Sequence, residues 1–171
     1  MQAQAQKPPS WAIVGTIIFV IAVPGTVVIG VPYWITGWHF RAPMLGTTAT
    51  RLVGAALFLV ALPAFCDFVV RFVREGFGTP APVAPPSRLV RGGVFARVRN
   101  PGYISVAAMI VGQALIFGSV DVLIYAALAA ICFHLFVVFY EEPTLRAQFG
   151  AQYDEYCRSV PRWLPRFRRR A

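Results

Sequence analysis

Residues 103–140 read YISVAAMIVGQALIFGSVDVLIYAALAAICFHLFVVFY, and Asp121 is the one formally charged side chain among them. The stretch divides at Gly118-Ser119. Tyr103 to about Phe117 is apolar but short for a bilayer crossing, which takes about 20 residues. Val122 to Tyr140 is close to full length. Glycine, serine and Asp121 mark a tight turn between them. Two apolar runs joined this closely predict a helical hairpin in a membrane. In lipid every backbone N–H and C=O must bond within the protein, and helices meet that condition.

Two more runs lie upstream. Trp11 to about Trp34 has no charge and is rich in Ile and Val. It is longer than the apolar region of a secretory signal, and no small-residue cleavage site follows it, so it reads as a retained first span. Pro24-Gly25 predicts a kink, and Trp34 and Trp38 suit an interfacial belt. After a short loop with His39, Arg41 and Pro43, a second run extends from about Leu52 to Val73, interrupted by Pro63. Asp67 is expensive there unless paired or facing protein. Arg71, four residues on, shares its helix face.

Composition agrees. The chain has 171 residues, of which 57% are hydrophobic and 13% charged, with a mean hydropathy of +0.62. Soluble domains carry about 25% charged residues. The expected fold is therefore an all-α polytopic membrane protein, with four transmembrane helices plus a cytoplasmic amphipathic C-terminal helix. Residues 1–75 form a two-span region. Residues 76–98 form a connector. Its Pro/Gly/Ala-rich part, Glu75 to Ser87, is expected to be extended and irregular, and Arg88, Arg91, Arg97 and Arg99 follow. Residues 99–171 form the hairpin plus a C-terminal segment. In that segment Leu145, Phe149, Tyr153 and Tyr156 recur at helical spacing on one face. Pro161 and Pro165 end the helix, and Arg166 to Arg170 form a basic tail.

The net charge of +9 would suggest nucleic acid in a soluble protein. Here the arginines cluster between apolar runs and at the C-terminus, and no nucleic-acid motif accompanies them. Their placement orients the chain instead. The connector and the C-terminal segment are arginine-rich, whereas the opposite loops hold only Arg41 and Arg51. Both termini are expected in the cytoplasm, with the bacterial cytoplasmic membrane as the setting. Cys66, Cys132 and Cys157 have neither metal-ligand spacing nor the even count of a disulfide framework.

On the inner face two clusters meet across the hairpin. One is Arg99-Asn100-Pro101-Gly102-Tyr103, before the third span. The other is Glu141-Glu142, at the expected end of the fourth, followed by Leu145. A cationic helix start and an acidic pair would flank one pocket at the membrane surface, and the N-terminus of the third span offers N–H groups to a carboxylate. Plain readings exist for each part. Arg-Asn-Pro is also a positive anchor with a helix start, Glu141-Glu142 a solvated helix N-terminus, and the tyrosines interfacial aromatics. His134 reads as a packed or interhelical residue.

The ordered set nevertheless resembles a membrane methyltransferase family, that of isoprenylcysteine carboxyl methyltransferases and phospholipid N-methyltransferases. The resemblance runs from about Leu89 to Arg166: Arg99-Asn-Pro-Gly-Tyr103, the hairpin, Glu141-Glu-Pro-Thr-Leu145, Phe149-Gly-Ala-Gln-Tyr153-Asp-Glu-Tyr156 and Val160-Pro161. It implies S-adenosyl-L-methionine as cofactor, in a cytoplasm-facing pocket of the last two spans and C-terminal segment. Arg99, Asn100, Pro101 and Tyr103 would lie on one side, with Glu141, Glu142, Leu145, Tyr153 and Tyr156 on the other. Arg99 and Glu142 would act most directly in catalysis. The glutamates would hold the cofactor's ammonium or ribose, Arg99 or the N–H groups after Pro101 its carboxylate, and the aromatics its adenine. A lipophilic methyl acceptor, carboxylate or amine, would approach from the membrane lipids.

Three departures bear on the acceptor. Asn100 stands where many relatives have His. Phe136 to Tyr140 lacks the basic residue that precedes the glutamate pair in the isoprenylcysteine enzymes. Ser159 stands where relatives often have Arg, flanked by Arg158 and Arg162. Two rival readings remain. Tyr156-Cys157-Arg158 with Val160-Pro161 also resembles NADPH-dependent sterol reductases, and a non-enzymatic membrane scaffold would keep the same spans.

Overall fold

The structure, a computed structural model, describes residues 10–76 and 87–165. The Pro/Gly-rich centre of the connector, Lys7 and the Arg166–Arg170 tail lie outside the described residues. The first helix, α1, runs unbroken through Ser10–Val20, Ile21–Gly30 and Val31–Thr36. It is followed by α2 (Ala49–Gly76), α3 (Pro101–Phe117), α4 (Val120–Phe149) and α5 (Ala151–Ser159). No strand occurs among the described residues.

Among the described residues three helices are long and apolar enough to cross a membrane: the 24 residues Ile13–Thr36 of α1, the 28 of α2 and the 30 of α4. The fourth expected span, α3, has 17 residues, or about 25 Å at 1.5 Å per residue. Its limits are written locally. Pro101 sits in the first turn, where its missing N–H is no loss. Gly118 ends it at φ 68°, and a Cβ there would collide with the Ala42 carbonyl. Ser119 then caps α4 by accepting from the Val122 N–H at 3.3 Å.

Short as it is, α3 is the central helix. Val106, Met109, Ile110 and Ala114 are buried in the core with Ala61 and Phe65 of α2 and Val122 and Ala126 of α4. A close backbone approach between α2 and α3 joins Gly54 and Gly112. A Cβ on Gly54 would stand 2.6 Å from the Gly112 oxygen, and one on Gly112 2.8 Å from the Gly54 oxygen. Such small-residue contacts let membrane helices pack backbone to backbone. The outward faces carry exposed Ile17, Ile18, Leu59, Val60, Leu128 and Ile131, the surface that a bilayer solvates.

The kink expected at Pro24-Gly25 takes another form. Ile21–Gly30 is a ten-residue π-helical stretch with Pro24 inside it. Proline removes a donor, and the wider turn leaves carbonyls to be satisfied from elsewhere. Gln113 Nε2 donates to the Val28 oxygen at 2.7 Å and the Tyr125 hydroxyl to the Val27 oxygen at 3.1 Å. Asp67 pairs with Arg71 at 2.9 Å as its spacing predicts. It also accepts from the Val94 N–H at 3.2 Å, so it anchors the basic stretch onto α2.

Candidate functional site

The acidic pair does not start a helix. Val137–Glu141 is a five-residue π-helical turn, and α4 continues through it to Phe149. Pro143 has no N–H for the Phe139 carbonyl, and a widened turn before it absorbs the fault. The break comes instead at Gly150, with φ 52° and ψ −128°. The expected single amphipathic helix is thus two pieces, the end of α4 and α5.

This geometry sends the two glutamates to different partners. Glu141 accepts from the Tyr103 hydroxyl at 2.9 Å. Glu142 is buried, 7% exposed, and lies between two guanidinium groups. Arg99 Nη1 is 3.2 Å from its Oε1. Arg162 donates through Nε to Oε1 at 2.6 Å and through Nη2 to Oε2 at 2.9 Å. That bidentate bond raises the Arg162 pKa above its ordinary value, against the opposing effect of burial. Burying a carboxylate this deeply is costly unless it is paired and hydrogen-bonded in this way.

The segment before α3 is held to the C-terminal segment by its backbone. The Arg99 N–H donates to the Pro161 oxygen at 2.9 Å, and Asn100 Nδ2 to the Arg162 oxygen at 3.2 Å. The Arg99 Nη1 also donates to Cys157 Sγ at 2.6 Å. Its Nε is buried with no hydrogen-bond partner. On α5, Tyr156 donates to the Phe95 oxygen at 2.7 Å, and Arg91 donates to the Gln152 oxygen at 2.6 Å. Burial pushes the Tyr153 and Tyr156 phenols well above their ordinary pKa, with Arg99 opposing in both. Both remain neutral rings with hydroxyls.

These parts enclose a cavity of about 180 Å³. Of the residues expected from the motifs, Arg99, Asn100, Pro101, Tyr103, Glu141, Leu145, Tyr153 and Tyr156 line it together. Glu142 does not; it faces the arginines behind the wall. The rest of the lining is mostly apolar and comes largely from elsewhere: Phe19, Val23 and Val27 of α1, Phe65, Phe68 and Phe72 of α2, and Phe133 and Phe136 of α4. Sequence reasoning placed no site residue in the first two spans and missed this share. It also gave Arg162 no role, although a basic residue directly after Val160-Pro161 was a visible signal. His134 is exposed and accepts from Trp163 Nε1 at 3.2 Å, so it packs against the C-terminal segment.

The Arg99 guanidinium and the Glu141 carboxyl group thus face one space with aromatic walls, and its apolar lining extends along the hairpin to Phe133. From Glu141 to Phe133 the lining descends eight residues of α4, about 12 Å by helical rise. Such a lining suits a ligand that is polar at one end and apolar at the other. The family profile described as phospholipid methyltransferase matches residues 50–152, from the start of α2 into α5. No curated protein matches the chain.

Proposed function

On the premise that the chain belongs to the phospholipid methyltransferase family, we propose that it methylates a lipid-like acceptor, a carboxylate or an amine, with S-adenosylmethionine as donor. Family and apolar helices together make it a membrane methyltransferase. The observation that carries the finer reading is the cavity with two unlike ends, Arg99, Tyr103 and Glu141 at one and apolar side chains of α1, α2 and α4 at the other.

The residues fit the cofactor's chemistry. Its ammonium or ribose hydroxyls need an acceptor, and Glu141 lines the cavity with only a phenol beside it. Its carboxylate needs donors, and the buried Arg99 Nε is unpartnered. Its adenine needs apolar faces, and Leu145, Tyr153 and Tyr156 supply them. When bound, it supplies an electrophilic methyl on a sulfonium. The protein's task is then to align the acceptor and exclude water. Glu141 has no ion pair in this apolar wall, so a bound cation would supply the partner that a buried carboxylate needs. Glu142 positions the site from behind by tying Arg99 to Arg162. Phe136 and Tyr140 line the cavity where a cation would orient a prenylcysteine carboxylate. That supports some other hydrophobic acceptor.

Orientation follows the arginines. Arg91, Arg99 and Arg162 gather around the site, while Arg41 lies at the opposite end, paired with Asp121 at 2.7 Å. This supports a cytoplasmic site. Equilibrium binding on protein in lipid nanodiscs tests the reading. S-adenosylmethionine should bind, and both Arg99→Ala and Glu141→Gln should weaken it tenfold or more. Binding of NADPH without S-adenosylmethionine would favour the reductase alternative. Unchanged affinity in both variants would move the cofactor elsewhere.

A further inference from the structure

Two hollows in this protein share one wall. Tyr103 and Phe133 line the inner cavity, and the same two side chains line a second groove on the outside of α3 and α4. Their rings lie 5.1 Å apart between centroids, tilted by 41°. The Tyr103 hydroxyl is held by Glu141 at 2.9 Å. The floor of the groove is small, because Ala107 of α3 and Ala130 of α4 face it. Neither alanine lines the inner cavity.

The groove opens toward lipid. Ile131 and Leu135, beside Ala130 and His134 on α4, are exposed apolar side chains. One end is rimmed by Trp163 and His134, joined by the 3.2 Å bond between Nε1 and Nδ1. Trp163 follows Arg162, which closes the polar end of the site, so this rim sits at the level of the membrane surface, where tryptophan is favoured. A slot that is apolar inside, polar at its rim and continuous with the lipid-facing surface suits a single apolar chain lying along the helices.

Resting on the methyltransferase reading, we propose that this α3–α4 groove docks the acyl or alkyl chain of the acceptor from the bilayer. The Tyr103–Phe133 pair is the door through which its reactive end reaches the cavity. Opening the door moves Tyr103 off Glu141, so acceptor arrival and the freeing of the Glu141 carboxylate are one event. Ala107 and Ala130 set the width of the slot.

The test fills the slot without touching the cavity. Ala107→Phe and Ala130→Phe, in the full-length protein in vesicles of total lipid extract, should keep cofactor affinity and thermal stability. They should lower incorporation of labelled methyl into lipid at least tenfold. A second readout needs no methyl transfer. A photoreactive diazirine fatty acid in phosphatidylcholine vesicles should label the α3 and α4 peptides that border the groove, and either substitution should abolish that labelling. Labelling spread evenly over the lipid-facing helices, or full methyl incorporation by both variants, would overturn the proposal. If the wild type incorporates no methyl at all, the methyltransferase reading fails separately, and the photolabel alone decides whether a chain docks in the groove.

Discussion

Adjacent glutamates with unlike surroundings should fail in unlike ways when each is neutralised. The Glu142 side chain is 9% exposed and that of Arg99 11%. Breaking a pair this buried costs about 3–5 kcal/mol when one partner is removed. Glutamine keeps the shape and still accepts one hydrogen bond from a cation, and Arg162 is 35% exposed and partly screened. Glu142→Gln should therefore cost about 2–3 kcal/mol. At roughly 2–4 °C per kcal/mol for a chain of this size, the thermal midpoint should fall by roughly 4–12 °C. Glu141→Gln keeps its bond from Tyr103 and loses no ion pair. Its midpoint should stay near wild type. Its cofactor affinity should fall tenfold or more, since losing one charge-assisted hydrogen bond removes about 1.5–3 kcal/mol and about 1.4 kcal/mol is a factor of ten. Thermal unfolding in detergent and equilibrium binding, run on both variants, read the two effects. A stable Glu142→Gln with lost binding, beside an unstable Glu141→Gln, would refute the division of roles.

Other perturbations separate scaffold from site. Gln113→Leu leaves the Val28 carbonyl of the π-helical stretch without its donor; stability should drop by about 1 kcal/mol, seen as a lower midpoint with unchanged cofactor affinity. Arg41→Ala removes an ion pair whose side chains are 49% and 58% exposed, so thermal unfolding should shift by less than about 1 kcal/mol. Burial raises the Tyr153 pKa in the folded state, so its phenol ionises first in the unfolded chain. The midpoint should then fall as pH rises above about 10, and Tyr153→Phe should lessen that fall in a pH series of melts.

Much of this fold was legible because apolar length and charge placement act through the bilayer and not through tertiary detail. Asp67 and Arg71 pair as their spacing predicts, and α3 was already short in the sequence. The motifs brought Arg99, Tyr103 and Glu141 to one cavity. Proline was read less well. Pro24 marked a fault in α1, but not that a π-helical stretch would absorb it while Gln113 and Tyr125 satisfied the carbonyls left there, and no fault was read at Pro143, before which a second π-helical turn lies. Because α4 continues past Glu142, neighbouring carboxylates diverge, one into the cavity and one onto Arg99 and Arg162. The Gly54–Gly112 approach was invisible because each glycine alone looks permissive. Only the pairing of α2 with α3 gives either one meaning.

The central claim is that this cavity transfers a methyl group to a hydrophobic acceptor. Its most direct test supplies S-adenosylmethionine with a labelled methyl to protein in vesicles of total lipid extract, extracts the lipids and counts the label. The account predicts label in an organic-soluble product with the wild type and at least a tenfold loss with Glu141→Gln. Equal label from both proteins, or none from a wild type that binds the cofactor, would contradict it.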